Sequence, residues 1–261
     1  MTQQTESAAK DEGGMSLWDH IGELRKRIIY SLIVFGIGLV GGLFAAEPLY
    51  DYLVAAAPTE KLELHAFSPW DAIGLYMKFA VLISFIIAIP FAFYQLWAFV
   101  RPGLSPKERS ATVRYIPGAF IMFLAGLAFA YFVVFPLAFK FTERVTANMG
   151  LEQTYGLAQY FSFLFNLLIP ISLLFELPLL IMFLTRIGIV NPRLLRKMRR
   201  LAWFIMVAVG VMITPPDVIS DLLVALPLIL LYEFSVLLAQ SAHNKRMAAK
   251  AAREAEFEEI E

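Results

Sequence analysis

The sequence predicts an all-α membrane protein with six transmembrane helices and both termini in the cytoplasm. Hydrophobic residues make up 59% of the 261 residues, charged residues only 17%, and the mean hydropathy is +0.67. Such a composition is typical of a polytopic membrane protein and not of a soluble domain. Eighteen of the 22 Lys and Arg residues fall in the segments that this topology places inside the cell, as the positive-inside rule requires.

The composition also excludes several classes of function. The net charge is zero and cysteine is absent, so nothing points to nucleic-acid binding, to disulfides or to thiolate metal sites. His20, His65 and His243 all fall outside the apolar segments, and we predict no catalytic group, metal site or cofactor site. We expect a disordered tail over residues 1–15, a membrane domain over 16–240 and a charged cytoplasmic tail over 241–261.

A short amphipathic helix is predicted over residues 16–27, directly before the first apolar segment. Ser16 and Asp19 have the spacing of a capping box, and the apolar residues that follow recur at helical spacing, so we place this helix in the membrane interface. Glu23 has two interpretations. It forms an i,i+4 pair with Arg27, or it is a carboxylate at the cytoplasmic surface that receives an external cation.

The first two spans follow from the next apolar segments. Residues 28–46 rise by roughly 28 Å as a helix, enough to cross the bilayer core. After an acidic loop over residues 47–70, the sequence Ser68-Pro69-Trp70-Asp71 is a helix start with a serine cap and proline at the first helical position. The second segment is apolar over residues 79–99, and Pro90 is expected to kink it.

The third and fourth spans are predicted over residues 115–139 and 161–184, with a polar loop between them. Two charged side chains lie inside the predicted helices. Lys78, in the second, is expected to snorkel to the outer interface. Glu176, in the fourth, is costly in an apolar helix and should face the protein interior or a wet cavity.

The fifth and sixth spans look too short for the membrane. Residues 201–213 cover roughly 20 Å, against a hydrocarbon core of about 30 Å. The uninterrupted apolar run of the sixth segment, within residues 218–239, covers only 222–232. Because a Pro-Pro turn joins the two, we predict a local membrane defect beside a concave, partly hydrated face that contains Glu176. Asn191-Pro192 marks a further helix start before the fifth span.

Six motifs carry a resemblance to a known family. In chain order they are His20-x-x-Glu23-Leu24-Arg25-x-Arg27, Gln95-x-Trp97-Ala98-Phe99, Pro102-x-Leu104-x-x-x-Glu108-Arg109, Ala130-Tyr131-Phe132-x-Val134-Phe135-Pro136-Leu137, Phe175-Glu176-x-Pro178 and Thr214-Pro215-Pro216-Asp217. Each is weak alone, but their order on a six-span chain is specific. The sequence resembles TatC, the multispanning receptor subunit of the twin-arginine protein translocase.

The resemblance implies a receptor in the cytoplasmic membrane that binds twin-arginine signal peptides and exports folded proteins with the proton-motive force. It further implies single-span partners of the TatA/TatB type, docking on segment five, and a homo-oligomer within a larger complex. The residues implied to bind the signal peptide are Glu23, Arg25, Phe99 and Glu108. Glu176 corresponds to the polar residue of the concave face. The implied partner or translocation region contains Thr214, Pro215, Asp217 and Asp221, the last standing where some members carry glutamine.

The chemistry of arginine agrees with this role. A guanidinium presents a planar fork that a carboxylate accepts through two parallel bonds, whereas lysine presents a point charge. Two carboxylates on one surface are therefore suited to an arginine pair. The alternative function is a proton-coupled transporter of small solutes with Glu176 as the proton site. An intramembrane hydrolase is disfavoured because no histidine lies in a span.

Overall fold

The computed structural model describes residues 17–55, 64–103, 106–151, 154–213 and 218–258. These residues are almost entirely helical. The helices are α1 (Leu17–Ala55), α2 (Trp70–Val100), α3 (Pro106–Val113), α4 (Tyr115–Phe129), α5 (Phe135–Asn148), α6 (Leu157–Leu174), α7 (Leu177–Ile187), α8 (Pro192–Lys197), α9 (Arg199–Ile213) and α10 (Val218–Glu258). A 3-10 turn over Arg101–Gly103 follows α2, and a π-helical turn over Ala130–Val134 joins α4 to α5.

Small residues bring α1 and α2 into close contact. Gly38 lies against Ser84, whose hydroxyl donates to the carbonyl of Phe35. One turn further, Gly42 lies against Ala80 so closely that an added Cβ would stand 2.8 Å from the Ala80 Cα and carbonyl oxygen. Close backbone approach at small residues is how membrane helices gain packing contacts in the absence of a hydrophobic driving force.

Helix α1 is longer than predicted in both directions. Residues 17–27 are continuous with the first span, so the separate interfacial helix is not observed. No proline stands at the junction, and the Glu23–Arg27 ion pair supports the turn across it. The helix also continues through Pro48 to Ala55, so the loop predicted from residue 47 is wrong over its first nine residues. Pro48 removes one backbone bond without ending the helix.

The third span also extends beyond its predicted end. Helix α5 runs to Asn148, nine residues past Phe139, and replaces part of the predicted loop. Its aromatic side chains pack inward: Phe135 and Phe139 are buried, and both meet the ring of Tyr160 edge to face. Because these rings anchor the α5 end of the span to α6, the helix remains ordered past the apolar segment.

At the end of the bundle away from Glu23, two short strands tie the loops together. Strand β1 (Leu64–His65) pairs in parallel with β2 (Tyr155–Gly156). The predicted cap of α2 is confirmed beside them. The Ser68 hydroxyl accepts from the Trp70 N–H at 3.3 Å, and the Asp71 carboxylate accepts from the Ser68 N–H at 3.0 Å. This reciprocal arrangement is a capping box.

The fourth predicted span is two helices. Helix α6 ends at Leu174, a turn at Phe175 and Glu176 follows, and α7 begins at Leu177. Pro178 accounts for the break, because it lacks the N–H that would bond the carbonyl of Leu174. Helix α7 ends at Gly188, whose φ of +87° is the left-handed conformation of a glycine cap.

Helices α8 to α10 form the last part of the bundle. The predicted start at Asn191 is confirmed, since its side chain accepts from the Arg193 N–H at 2.9 Å. Helix α9 has 15 residues, so the prediction of a short fifth span is confirmed. Helix α10 has 41 residues, so the prediction of a short sixth helix is wrong. Glu233 is tolerated within α10 because Arg199 and Trp203 pair with it.

Within the described residues, five helical stretches are long and apolar enough to cross a membrane. They are Ile21–Ala55, Trp70–Val100, Tyr115–Asn148, Leu157–Ile187 and Val224–Asn244. Helix α9 adds a sixth, shorter apolar helix. The all-α membrane fold is therefore confirmed, while the orientation of the termini, the concave face and the division into three regions remain predictions.

The contact between α1 and α2 generates a first prediction. Gly42→Ala should lower the thermal unfolding temperature in detergent, because overpacking against the Ala80 backbone costs about 1–3 kcal/mol. Gly41→Ala is the matched control, since a Cβ at Gly41 meets nothing within 4 Å. Equal melting temperatures for the two variants would contradict the close approach of these helices.

Candidate functional site

A guanidinium joins α1 to α2 near the start of the chain. Arg27 Nη2 donates to Glu23 Oε1 at 2.9 Å, and Arg27 Nη1 donates to Gln95 Oε1 at 3.0 Å. The i,i+4 pair of Glu23 with Arg27 is thus confirmed. Gln95 is buried, and its position in the last turns of α2 brings that end of the helix against the start of α1. We call Glu23, Arg27 and Gln95 the Glu23 site.

The second carboxyl oxygen of Glu23 forms no hydrogen bond with Arg27. Glu23 Oε2 is buried and has no hydrogen-bond partner among the residues that the structure describes. A buried acceptor without a donor costs free energy, more so when the group carries a charge. The Glu23 site therefore holds one guanidinium already and retains an acceptor for another donor.

Aromatic and basic side chains surround this end of α2. The guanidinium carbon of Arg101 lies 5.3 Å from the ring centroid of Trp97, a cation–π arrangement. Arg109 Nε donates to the Arg101 carbonyl at 3.0 Å, which fastens α3 to the end of α2. Trp97 Nε1 is buried and has no hydrogen-bond partner within the described residues. The surface next to Glu23 therefore offers a second unfilled polar atom, this time a donor.

The structure brings several predicted binding residues to this end of the bundle. Arg25 is exposed on α1, two residues and thus about half a turn after Glu23, and Phe99 is half-buried on α2. Glu108 belongs to α3, the helix that Arg109 fastens here, and its side chain lies outside the described residues. Sequence reasoning quoted Gln95 and Trp97 within motifs but assigned them no role. Their position was the available signal, because a polar Gln95 and an amphipathic Trp97 stand out in the last turns of an otherwise apolar helix.

Glu176 lies in the turn between α6 and α7. Its exposed fraction is 7%, and neither carboxyl oxygen has a hydrogen-bond partner among the described residues. Gly126 of α4 packs against this turn, since an added Cβ there would stand 2.7 Å from the Ser172 Cα and 2.9 Å from the Phe175 Cβ. The prediction that Glu176 faces the protein interior is confirmed. Its buried position results from the turn between α6 and α7.

The region after α9 is only partly described. Thr214, Pro215 and Asp217 lie outside the described residues. Asp221 is half-buried in the first turn of α10, where its carbonyl oxygen lies 3.6 Å from the position of a Cβ on Gly210. The start of α10 therefore packs against the end of α9, as the Pro-Pro turn predicts.

Glu233 forms a second polar cluster that sequence reasoning missed. Arg199 Nη2 lies 2.8 Å from Glu233 Oε2, and Trp203 Nε1 donates to Glu233 Oε1 at 3.0 Å. The neighbouring Tyr232 hydroxyl donates to the Leu195 carbonyl at 2.9 Å. Both oxygens of Glu233 are thus used, so this cluster fixes α8 and α9 on α10 and leaves no acceptor without a donor.

No group of three His, Asp or Glu side chains among the described residues could hold a metal ion. The buried side-chain polar atoms without a hydrogen-bond partner in the described residues are Glu23 Oε2, Trp97 Nε1, both carboxyl oxygens of Glu176, Thr185 Oγ1 and Arg199 Nε. Such groups are suited to binding charged or hydrogen-bonding ligands.

Comparisons with known proteins agree with the fold. A family model described as "Sec-independent protein translocase protein (TatC)" matches residues 19–227. A TatC protein of Halalkalibacterium halodurans is 44% identical over 251 residues, covering 96% of this chain and 99% of the relative. TatCy of Bacillus subtilis is 42% identical over 238 residues, covering 91% of this chain and 94% of the relative.

Solved structures give the same result. A crystal structure described as the twin-arginine translocase receptor TatC superposes with a TM-score of 0.73 at 33% identity, covering 85% of this chain and 99% of that one. A second crystal structure of the receptor, in the detergent DDM, gives 0.74 at 32% identity. The chain therefore belongs to the TatC family of Sec-independent protein translocase proteins.

Proposed function

We propose that this protein is the signal-peptide receptor of a twin-arginine translocation system. The observation that carries the proposal is the Glu23 site, where one carboxyl oxygen binds a guanidinium and the other is buried without a partner in the described part of the chain. A site that already accepts one guanidinium has the shape and charge to accept another. Membership of a translocase family makes an exported polypeptide the natural source of that group.

Arginine is favoured over lysine by the geometry of the site. A carboxylate and a neighbouring amide oxygen accept from two nitrogens of one planar guanidinium, as Glu23 and Gln95 do with Arg27. A lysine ammonium has a single nitrogen, so it cannot donate two parallel N–H bonds from a planar group. With Glu108 contributed by α3, the surface would receive the two arginines of a signal peptide, and Arg25 and Phe99 would flank them.

We further propose the setting in which this receptor works. The bias of Lys and Arg supports a cytoplasmic position for both termini, and the chain would lie in the cytoplasmic membrane. Single-span subunits of the TatA/TatB type would dock on α9, with Asp221 and the segment containing Thr214, Pro215 and Asp217 contributing to partner contact and translocation. Several copies would assemble within the complex, and the proton-motive force would drive export of folded proteins.

Two other functions are less well supported. A proton-coupled solute transporter would use Glu176, but the translocase relatives cover nearly the whole chain. An enzymatic function lacks a nucleophile beside a base in the sites described above. In the receptor, Glu176 is an intramembrane polar site that a signal peptide or a partner helix would reach during transport.

The test of the receptor function is binding of an Arg-Arg signal peptide, compared with its Lys-Lys version. Glu23→Gln should reduce copurification of the Arg-Arg peptide by about tenfold or more, because it removes the charge from a charge-assisted bond. Glu47→Gln, an exposed carboxylate on the same helix, is the control and should leave binding unchanged. Equal retention of both peptides by the unaltered protein would refute the proposal.

The Arg27 guanidinium generates a second prediction. Because the Arg27 guanidinium offsets the Glu23 charge that would attract a signal-peptide arginine, Arg27→Gln should strengthen Arg-Arg peptide binding by roughly two- to fivefold, the worth of a partly exposed ion pair. Lys26→Gln removes an exposed neighbouring charge and serves as the control. Weaker binding by Arg27→Gln alone would show that Arg27 builds the site and does not compete for it.

The buried carboxyl group of Glu176 generates a third prediction for this section. Glu176→Met keeps the volume and removes two buried oxygens that lack partners in the described residues, so it should raise the thermal unfolding temperature, by the equivalent of about 1–3 kcal/mol. The same variant should lose export, since the polar site is removed. Glu47→Met controls for loss of charge and should change neither property. A lower melting temperature for Glu176→Met would show that the carboxyl group stabilises the fold.

A further inference from the structure

A recess lies at the end of the bundle away from the Glu23 site, between the first turns of α2 and the start of α6. Its first cavity, of about 100 Å³, is lined by Trp70, Asp71, Gly74, Leu75, Lys78, Ala158 and Phe161. A second, more open cavity of about 390 Å³ is lined by Ala158, Gln159, Ser162, Phe163 and Asn166. Ala158 lines both, and the Lys78–Ser162 hydrogen bond links a residue of the first to a residue of the second. We refer to these two adjacent cavities together as the recess.

Lys78 supplies the positive charge of this recess. Its ammonium donates to the Ser162 hydroxyl, which in turn donates to the Ala158 carbonyl. Lys78 forms no ion pair with a carboxylate in the described part of the chain. An ammonium has three donors, and a half-buried one without a counter-charge is an attractive position for an anion.

Asp71 supplies a negative charge two turns earlier on the same helix. One of its oxygens accepts from the backbone N–H groups of Phe67 and Ser68, at 2.9 and 3.0 Å. Because both donors are neutral backbone N–H groups, these hydrogen bonds do not neutralise the charge of the Asp71 carboxylate. Because helical side chains lean toward the N-terminus of their helix, the long Lys78 side chain extends toward Asp71. Asp71 and Lys78 therefore line the same cavity, a carboxylate and a cation two turns apart on one helix.

An apolar stripe runs along α2 beside this pair. Trp70, Ile73 and Met77 have exposed fractions of 74%, 56% and 47%, and their spacing places them on one side of the helix, next to Lys78. A soluble anion would gain nothing from this stripe. An acyl chain would bury against it at about 25 cal/mol per Å² of apolar surface.

We propose that the recess binds one phospholipid whose headgroup carries a primary amine, of the phosphatidylethanolamine type. The phosphate lies on the Lys78 ammonium, the headgroup amine lies on the Asp71 carboxylate, and an acyl chain follows the stripe of Trp70, Ile73 and Met77. This assignment is independent of the receptor function, because it uses none of the residues of the Glu23 site.

The test is native mass spectrometry of the full-length protein in detergent with an equimolar mixture of three lipids. Phosphatidylethanolamine, phosphatidylglycerol and phosphatidylcholine, with the same acyl chains, differ only in the headgroup. The protein should retain one phosphatidylethanolamine in preference to the others. Lys78→Gln should reduce retention of all three by about tenfold, the worth of one charge-assisted bond. Lys78→Arg should preserve retention.

The role of Asp71 is tested separately. Asp71→Asn keeps the capping oxygen but removes the charge, so it should abolish the preference for phosphatidylethanolamine and leave binding of phosphatidylglycerol intact. Lys140→Gln, an exposed lysine on α5, is the control and should change nothing.

Three results would overturn the proposal. The first is retention by Lys78→Gln equal to that of the unaltered protein. The second is preference of the unaltered protein for phosphatidylglycerol or phosphatidylcholine. The third is displacement of the bound lipid by soluble glycerophosphoethanolamine at an equal concentration, which would show that the apolar stripe contributes nothing. Signal-peptide binding measured on Lys78→Gln separates this test from that of the receptor, since the variant should bind Arg-Arg peptide normally.

Discussion

A charged side chain in an apolar helical bundle is costly unless another group compensates its charge, and this constraint explains the contacts that fix α1 on α2 and α9 on α10. Arg27 bridges Glu23 and Gln95, and thereby fixes the start of α1 against the end of α2. Arg199 and Trp203 together satisfy Glu233. In both places the compensating contacts also join two consecutive helices, so the same contacts compensate charge and assemble the bundle.

Glu176 departs from this constraint, since the described residues give its two buried oxygens no hydrogen-bond partner. The turn forced by Pro178 places it beside the closely packed Gly126, so the fold holds the carboxyl group in position without stabilising it. Such a group is a cost in the resting protein and is retained only where a partner arrives during function. Glu23 represents an intermediate case, with one oxygen paired and one unfilled. In the proposed receptor, these two groups are the positions at which a ligand would find an acceptor.

Much of the fold was predictable from the sequence, because apolar length and helix caps are local properties. The caps at Ser68 and Asn191 and the short α9 are confirmed. Helix ends were less predictable. Pro48 does not end α1, and α5 and α10 continue past their apolar segments, because contacts between elements decide where a membrane helix stops. For the site, the sequence identified Glu23 and its pairing with Arg27. It could not show that Gln95 completes the arrangement, since that contact joins residues 68 positions apart.

The contacts of Glu233 determine how α9 and α10 are aligned, and therefore how long the hairpin that they form is. Arg199 begins α9, and its bond to Glu233 aligns the first turn of α9 with residue 233 of α10. From that point to the end of α9 the hairpin has 15 residues, or about 22 Å of helix, against about 30 Å for a bilayer core. The additional length of α10 therefore lies beyond Glu233, on the side of the C-terminal tail, and does not lengthen the hairpin. The candidate span Val224–Asn244 continues past Glu233, so α10 by itself is long enough to cross a membrane and the deficit belongs to α9. The membrane defect predicted from the sequence stays a prediction, and it now depends on α9 alone.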